Sequence, residues 1–138
     1  MAFDDVPRGS ETILLVEPDP ETRKLAAFML SKQGYTVLEA RNAAEAFQHY
    51  QQQGKQVDLL LTEVFRSEVN GPELARVLEA KAPGLPVVYI SDTANRRFTR
   101  RIETRTKRVL LRPFTMRLLA DKVRQVLDGG QRTMVAGA

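Results

Sequence analysis

Val57-Asp58-Leu59-Leu60-Leu61-Thr62-Glu63-Val64 is the stretch that most limits what this chain can become. A run this apolar and this short, ending in a carboxylate and reaching Asn70-Gly71 through a short polar loop, reads as a strand buried on both faces. Such strands belong to parallel sheets covered by helices. Open sheets of that kind bind ligands at the carboxyl ends of their strands, beside the point where strand order reverses. Glu63 therefore stands where any chemistry would be.

The flanking sequence repeats the pattern. Thr12 to Val16 is a first strand that stops at Glu17-Pro18-Asp19-Pro20, because proline cannot donate to a ladder. Asp19 as N-cap, Pro20 at the first helical position and Glu21 in the first turn start a helix, with Leu25, Met29 and Leu30 expected inward and Gly34 at its end. Thr36 to Leu38 makes a second strand, and Asn42 caps a helix presenting Ala43, Ala46, Phe47 and Tyr50. After the central strand and its loop, Gly71-Pro72 opens a helix with Leu74, Val77 and Leu78 on one face, stopped by Pro83-Gly84. Pro86 to Ile90 is a fourth strand. Ala94 to about Glu103 is the weakest of the helices, with only Ala94, Phe98 and Ile102 on its apolar face. Val109 to Leu111 is the fifth strand, and Thr115 caps a last helix with Leu118, Leu119, Val123, Val126 and Leu127 inward, expected to close at Gly129-Gly130.

Five strands alternating with five helices give an α/β domain with one doubly wound parallel sheet, of flavodoxin-like order 2-1-3-4-5. The domain is expected over residues 12–128, between a leader or linker at 1–11 and a flexible tail at 129–138. A chain of 138 residues buries such a core without crosslinks, and it has no cysteine to make them. That absence also excludes thiolate metal sites and cysteine nucleophiles, and suits a reducing compartment such as the cytoplasm. No apolar run is long enough to span a bilayer.

Charge is concentrated. Between Asn95 and Arg112 stand Arg96, Arg97, Arg100, Arg101, Arg105, Lys107, Arg108 and Arg112 against Glu103 alone, a local +7 in a chain of net charge +4. A solvated helix face is the ordinary explanation of a charge run, but one without interleaved acids suits a binding face. Nucleic acid is one such partner, since clustered arginines around Phe98 could track phosphates. An acidic protein surface is the preferred one.

Ile13-Leu14-Leu15-Val16-Glu17, Gly34-Tyr35-Thr36-Val37, Asp58 to Glu63, Asn70-Gly71-Pro72-Glu73-Leu74, Leu85-Pro86-Val87-Val88 and Arg112-Pro113-Phe114 together resemble the receiver domain of bacterial two-component response regulators. The resemblance runs from about Thr12 to Leu127 and is greatest to receivers fused behind hybrid histidine kinases. It implies transfer of a phosphoryl group from a histidine kinase to an aspartate, assisted by Mg²⁺, a hydroxyl and a lysine.

Carried over position by position, most of that machinery is changed. The phosphoacceptor falls on Glu63, the acidic pair on Glu17 and Pro18, the lysine before the cis-proline motif on Arg112, and the aromatic switch position on Val109. Only the hydroxyl position, Ser91, is as the family has it, with Asp92 following where a small residue is common. Losing a carboxylate at Pro18 removes charge and geometry from a Mg²⁺ site, and Arg112 is expected to form a bidentate pair with Glu63 instead.

The sequence thus predicts a pseudo-receiver: no enzyme, no bound cofactor, and a protein partner, a histidine kinase or effector, on the face of the fourth helix and fifth strand. A receiver that still accepts phosphate and a nucleic-acid-binding protein on the same scaffold are the alternatives. A flavodoxin-like enzyme lacks support, because no phosphate-cradling glycine loop follows the first strand. Asp19 is explained by its capping role. His49, beside Tyr50 and a run of glutamines, is expected at the surface.

Overall fold

A computed structural model of the chain describes residues 6–53, 56–66, 69–92 and 108–137. Its elements are β1 (Thr12–Val16), α1 (Pro20–Lys32), β2 (Thr36–Ala40), α2 (Ala43–Gln53), β3 (Leu59–Glu63), β4 (Phe65–Arg66), β5 (Val69–Asn70), α3 (Gly71–Lys81), β6 (Val87–Ser91), β7 (Val109–Leu111) and α4 (Met116–Gly137). Five strands form one parallel sheet in the order β2-β1-β3-β6-β7, the topology expected from the alternating pattern. The fold is flavodoxin-like and doubly wound.

Alternation along each strand explains why both faces need cover. Ile13 and Leu15 of β1, with Leu59 and Leu61 of β3, pack against Ala26, Ala27 and Leu30 of α1 and Leu119, Val123 and Val126 of α4. Leu14, Val16 and Leu60 point the other way, onto Ala46 of α2 and Leu74, Ala75 and Leu78 of α3. Every residue of β3 is buried, as a strand with helices on both sides must be. Each fully buried leucine contributes about 1.5–3 kcal/mol of transfer free energy.

Helix starts follow the sequence. The Asp19 carboxylate accepts from the Thr22 amide at 2.9 Å, Asn42 from Glu45 at 2.9 Å, Asn70 from Glu73 at 3.1 Å, and the Thr115 hydroxyl from Leu118 at 3.1 Å. Gly34 takes φ +104 after α1, the left-handed conformation in which glycine ends a helix.

Several expectations need correction. Leu25 and Leu118 are each more than half exposed, because Arg23, Ala26, Ala27 and Leu30 take the inner face of α1 while Leu119, Ala120 and Val123 take that of α4. α4 runs past Gly129-Gly130 to Gly137; glycine within a helix costs about 1 kcal/mol and does not by itself end one. The loop after β3 holds a two-strand antiparallel hairpin, β4 with β5. The segment before β1 is also packed: Val6 is buried and the Gly9 amide donates to the Gln33 carbonyl at 3.0 Å. The helix expected over Ala94 to Glu103 lies outside the described residues.

Candidate functional site

The carboxyl ends of the strands place four charged side chains together. Glu17 follows β1, Glu63 ends β3, Asp92 follows β6 and Arg112 follows β7. Glu17 and Glu63 are completely buried. Between them stands the Arg112 guanidinium, whose Nη1 lies 2.8 Å from Glu17 Oε1 and 2.6 Å from Glu63 Oε1, while its Nε donates to Asp92 Oδ1 at 2.8 Å. A chain segment before a cis peptide, Arg112-Pro113, carries the arginine to this position.

The expected two-pronged pairing of Arg112 with Glu63 is therefore not what forms. One nitrogen serves two carboxylates and the Nε serves a third, because the ends of β1, β3 and β6 converge on it from different directions. Glu63 meets Arg112 as an ion pair rather than a well-aligned hydrogen bond. Arg112 Nη2 is buried and has no hydrogen-bond partner among the described residues. Burial opposes the charged guanidinium, but Asp92, Glu63 and Glu17 outweigh it and hold the Arg112 pKa above its ordinary value.

Backbone amides fix the carboxylates from behind. Glu63 Oε2 accepts from the Val64 amide at 3.0 Å, and Glu17 Oε2 from the Asp19 amide at 3.0 Å. Gly71 is required close by: a Cβ there would run into the Glu63 carbonyl, and the Gly71 amide donates to the Val64 carbonyl at 2.7 Å.

The remaining positions divide. Ser91 is buried at the end of β6, with its hydroxyl directed to the Asp92 carbonyl at 3.3 Å. Val109 is buried within β7. Pro18 contributes a carbonyl and no carboxylate. His49 is half-buried, its Nε2 2.7 Å from the Glu39 carbonyl on β2. Of the basic segment, Arg108 and Arg112 are described, and Arg96, Arg97, Arg100, Arg101, Arg105 and Lys107 lie outside the described residues. A cleft of roughly 340 Å³ opens beside the cluster, lined by Thr22, Leu25, Asp92, Arg112, Pro113 and Phe114; the exposed Leu25 belongs to its wall.

One participant escaped sequence reasoning. Arg23, on the first turns of α1, is buried and donates through Nη1 to the Glu17 carbonyl at 2.8 Å. Nothing in the sequence separates it from any other basic residue on an amphipathic helix.

A five-stranded parallel sheet with charged groups gathered at its carboxyl edge defines a doubly wound signalling or ligand-binding module. Residues 13–124 match the response regulator receiver domain, and the chain belongs to that family. It is 33% identical over 121 residues to the sensor kinase CckA of Brucella abortus, a match covering 87% of this chain and 13% of the kinase. It is 32% identical over 116 residues to the response regulator receiver protein CpdR of the same organism, covering 83% of this chain and 95% of that one. Among solved structures it resembles the receiver domain of the hybrid histidine kinase CckA, with a TM-score of 0.69 and 29% identity over 84% of this chain and 98% of the other. The chain is thus a receiver domain of two-component signalling, a family of modules that work through histidine kinases and effectors. No described helix is long and apolar enough to cross a membrane.

Proposed function

We propose that this receiver domain signals without phosphotransfer, as a protein-interaction module whose site is permanently filled by Arg112. The observation that carries the reading is the guanidinium nitrogen 2.6 Å from Glu63 and 2.8 Å from Glu17. Mg²⁺ does not fit these residues. It demands near-octahedral oxygen ligands at about 2.0–2.1 Å, whereas a cationic nitrogen already occupies the space between the two carboxylates, and Pro18 supplies no third one.

The Glu63 carboxylate is also poorly placed as a nucleophile. One oxygen faces Arg112 and the other accepts the Val64 amide, so attack would first break buried, charge-assisted contacts. A side chain one methylene longer than aspartate misplaces the oxygen for in-line transfer, where shifts of about 1 Å cost about 100-fold. What the arrangement supplies instead is a fixed negative group held against a fixed cation, carrying less charge than an aspartyl phosphate. Output then depends on the 95–112 segment, whose surplus of arginine in the sequence suits an acidic surface on a kinase or effector.

Incubation with acetyl phosphate and Mg²⁺, and separately with an active histidine kinase, followed by intact-mass measurement, tests this directly. The mass should not change. A labile phosphoryl adduct on Glu63 or Asp19 would overturn the reading.

A further inference from the structure

A second arginine extends the cluster across the sheet. Arg23 Nε lies 3.4 Å from Glu39 Oε1, near the end of β2, while its Nη1 donates to the Glu17 carbonyl at 2.8 Å and lies 3.4 Å from that of Pro18. Its side chain is 11% exposed, so the guanidinium sits under the β1–α1 loop and not in solvent. Glu17 then passes the connection on, because its carboxylate meets Arg112 at 2.8 Å, and Arg112 meets Asp92 at 2.8 Å. Glu39, Arg23, Glu17, Arg112 and Asp92 form a continuous line of contacts from edge strand β2 to the residue after β6, with a branch to Glu63.

We propose that Arg23 is a positioning residue for the Arg112 cluster, and that this line couples the β2–α1 side of the domain to Asp92, the root of the basic segment. The inference rests on the reading that Arg112 is the resident occupant of the site, and it adds what holds the occupant in register. Glu17 is fixed at three points: Arg23 holds its carbonyl, the Asp19 amide holds one carboxylate oxygen, and Arg112 takes the other. Pro18 has no amide hydrogen to anchor the loop, so Arg23, acting on the two carbonyls, adds to the Glu17 and Asp19 amides in holding this turn. Without Arg23, the Glu17 carbonyl loses a buried charged donor, the loop relaxes, and the Glu17 carboxylate no longer meets Arg112 in the same place. Arg112 must then re-partition among Glu63 and Asp92, since groups in one network respond together.

Amide and arginine side-chain NMR of the isotopically labelled full chain, without phosphodonor, tests the relay. Arg112 Nε–H, donated to Asp92, should exchange slowly with solvent in the parent. In Arg23→Met it should exchange about tenfold faster, within the range that coupled neighbours show, and the Asp19 and Asp92 amides should shift while the fold is retained. Arg23→Lys, which keeps one donor, should restore part of the protection. Glu39→Gln should move the same signals less, because it removes only the carboxylate charge facing Nε and leaves the Glu17 contact in place. Lys24→Met, on the same helix but outside the line, should leave them alone.

Unchanged Arg112 Nε–H exchange in folded Arg23→Met overturns the proposal, as does an equal effect from Lys24→Met. If Arg23→Met does not fold, Glu39→Gln decides: an unmoved Arg112 signal overturns it. Failure of the phosphotransfer reading would appear instead as a mass adduct in the phosphodonor experiment, so the two failures are distinct.

Discussion

Arg112 Nη1 reaches Glu63 Oε1 at 2.6 Å although the two residues stand at the ends of β7 and β3, strands that are not neighbours: β6 lies between them. The long arginine side chain crosses over the end of β6 and touches the residue that follows it, Asp92, on the way. Lysine in that position would bring one nitrogen to the carboxylates, whereas the guanidinium meets Glu17 and Glu63 through Nη1 and Asp92 through Nε. Arg112 is thus the group that fills the space between Glu17 and Glu63.

Arg112→Ala should cost about 3–5 kcal/mol of stability, because it leaves Glu17 and Glu63 buried without their counter-charge. Arg112→Lys keeps the charge but loses contacts, and should cost about 1–3 kcal/mol. Urea denaturation at neutral pH measures both. A loss below about 1 kcal/mol for the alanine variant would mean that water replaces the guanidinium freely.

The fold was legible because the hydrophobic pattern of Val57 to Val64 and the cap residues Asp19, Asn42 and Thr115 act locally, each through its own neighbours. That Glu63, Glu17 and Arg112 stand at strand ends, on one edge of the sheet, was legible too. Their geometry was not. That Arg112 would divide itself among three carboxylates depends on where three strands end relative to one another, and Arg23 acquires its role only through the turn that brings Glu17 and Pro18 carbonyls beneath it. Leu25 and Leu118 misled for a simpler reason: Ala26, Ala27 and Ala120 are small enough to sit against the sheet, so the inward stripe is rotated from where the larger residues suggested.

Acid sensitivity should report how the segment before β1 is attached. Arg124 pairs with Glu11 at 2.7 Å and with Asp128 at 2.8 Å, donates to the Arg8 carbonyl at 3.3 Å, and lowers the Glu11 pKa below the ordinary carboxylate value, chiefly through its hydrogen bond. A lowered folded-state pKa means that the pair stabilises the fold above about pH 4.3 and that this contribution fades as pH falls through the lowered value. Urea midpoints from neutral pH down to about pH 3 should therefore fall more steeply in the parent than in Arg124→Met. Parallel curves would show that the pair is not coupled to folding.

Gly9→Ala should destabilise by about 1–3 kcal/mol, the usual cost of overpacking. A Cβ at Gly9 would run into the Tyr35 ring and approach Arg124 Nη1 to 2.6 Å. Thermal unfolding of the variant beside a truncation lacking residues 1–9 checks it. Both should melt below the parent; a truncation as stable as the parent would make the contacts of Val6 and Gly9 dispensable.

Reversing Arg97, Arg100 and Arg101 to Glu should weaken binding to an acidic partner and flatten its salt dependence. Binding measured at two salt concentrations, with the partner and separately with duplex DNA, separates the readings. A steep salt slope for DNA at physiological ionic strength would favour nucleic acid as the ligand.

On the proposed reading, phosphotransfer should require removing the guanidinium as well as supplying an acidic pair. Pro18→Asp with Glu63→Asp supplies an acidic pair and a shorter acceptor, but Arg112 would still lie between the carboxylates and compete with any metal for them. That double variant is expected to remain inert to acetyl phosphate and Mg²⁺. Adding Arg112→Lys withdraws the bridging cation, leaves a single positive charge able to meet a phosphoryl oxygen, and opens the space between positions 17 and 63 to a hydrated ion that keeps most of its waters. The triple variant should gain a Mg²⁺-dependent, labile phosphoryl adduct at position 63 by intact mass, absent from both the parent and the double variant. Equal phosphorylation of the double variant would show that Arg112 yields its place to the metal, and the site would then be one in which the arginine is a movable plug.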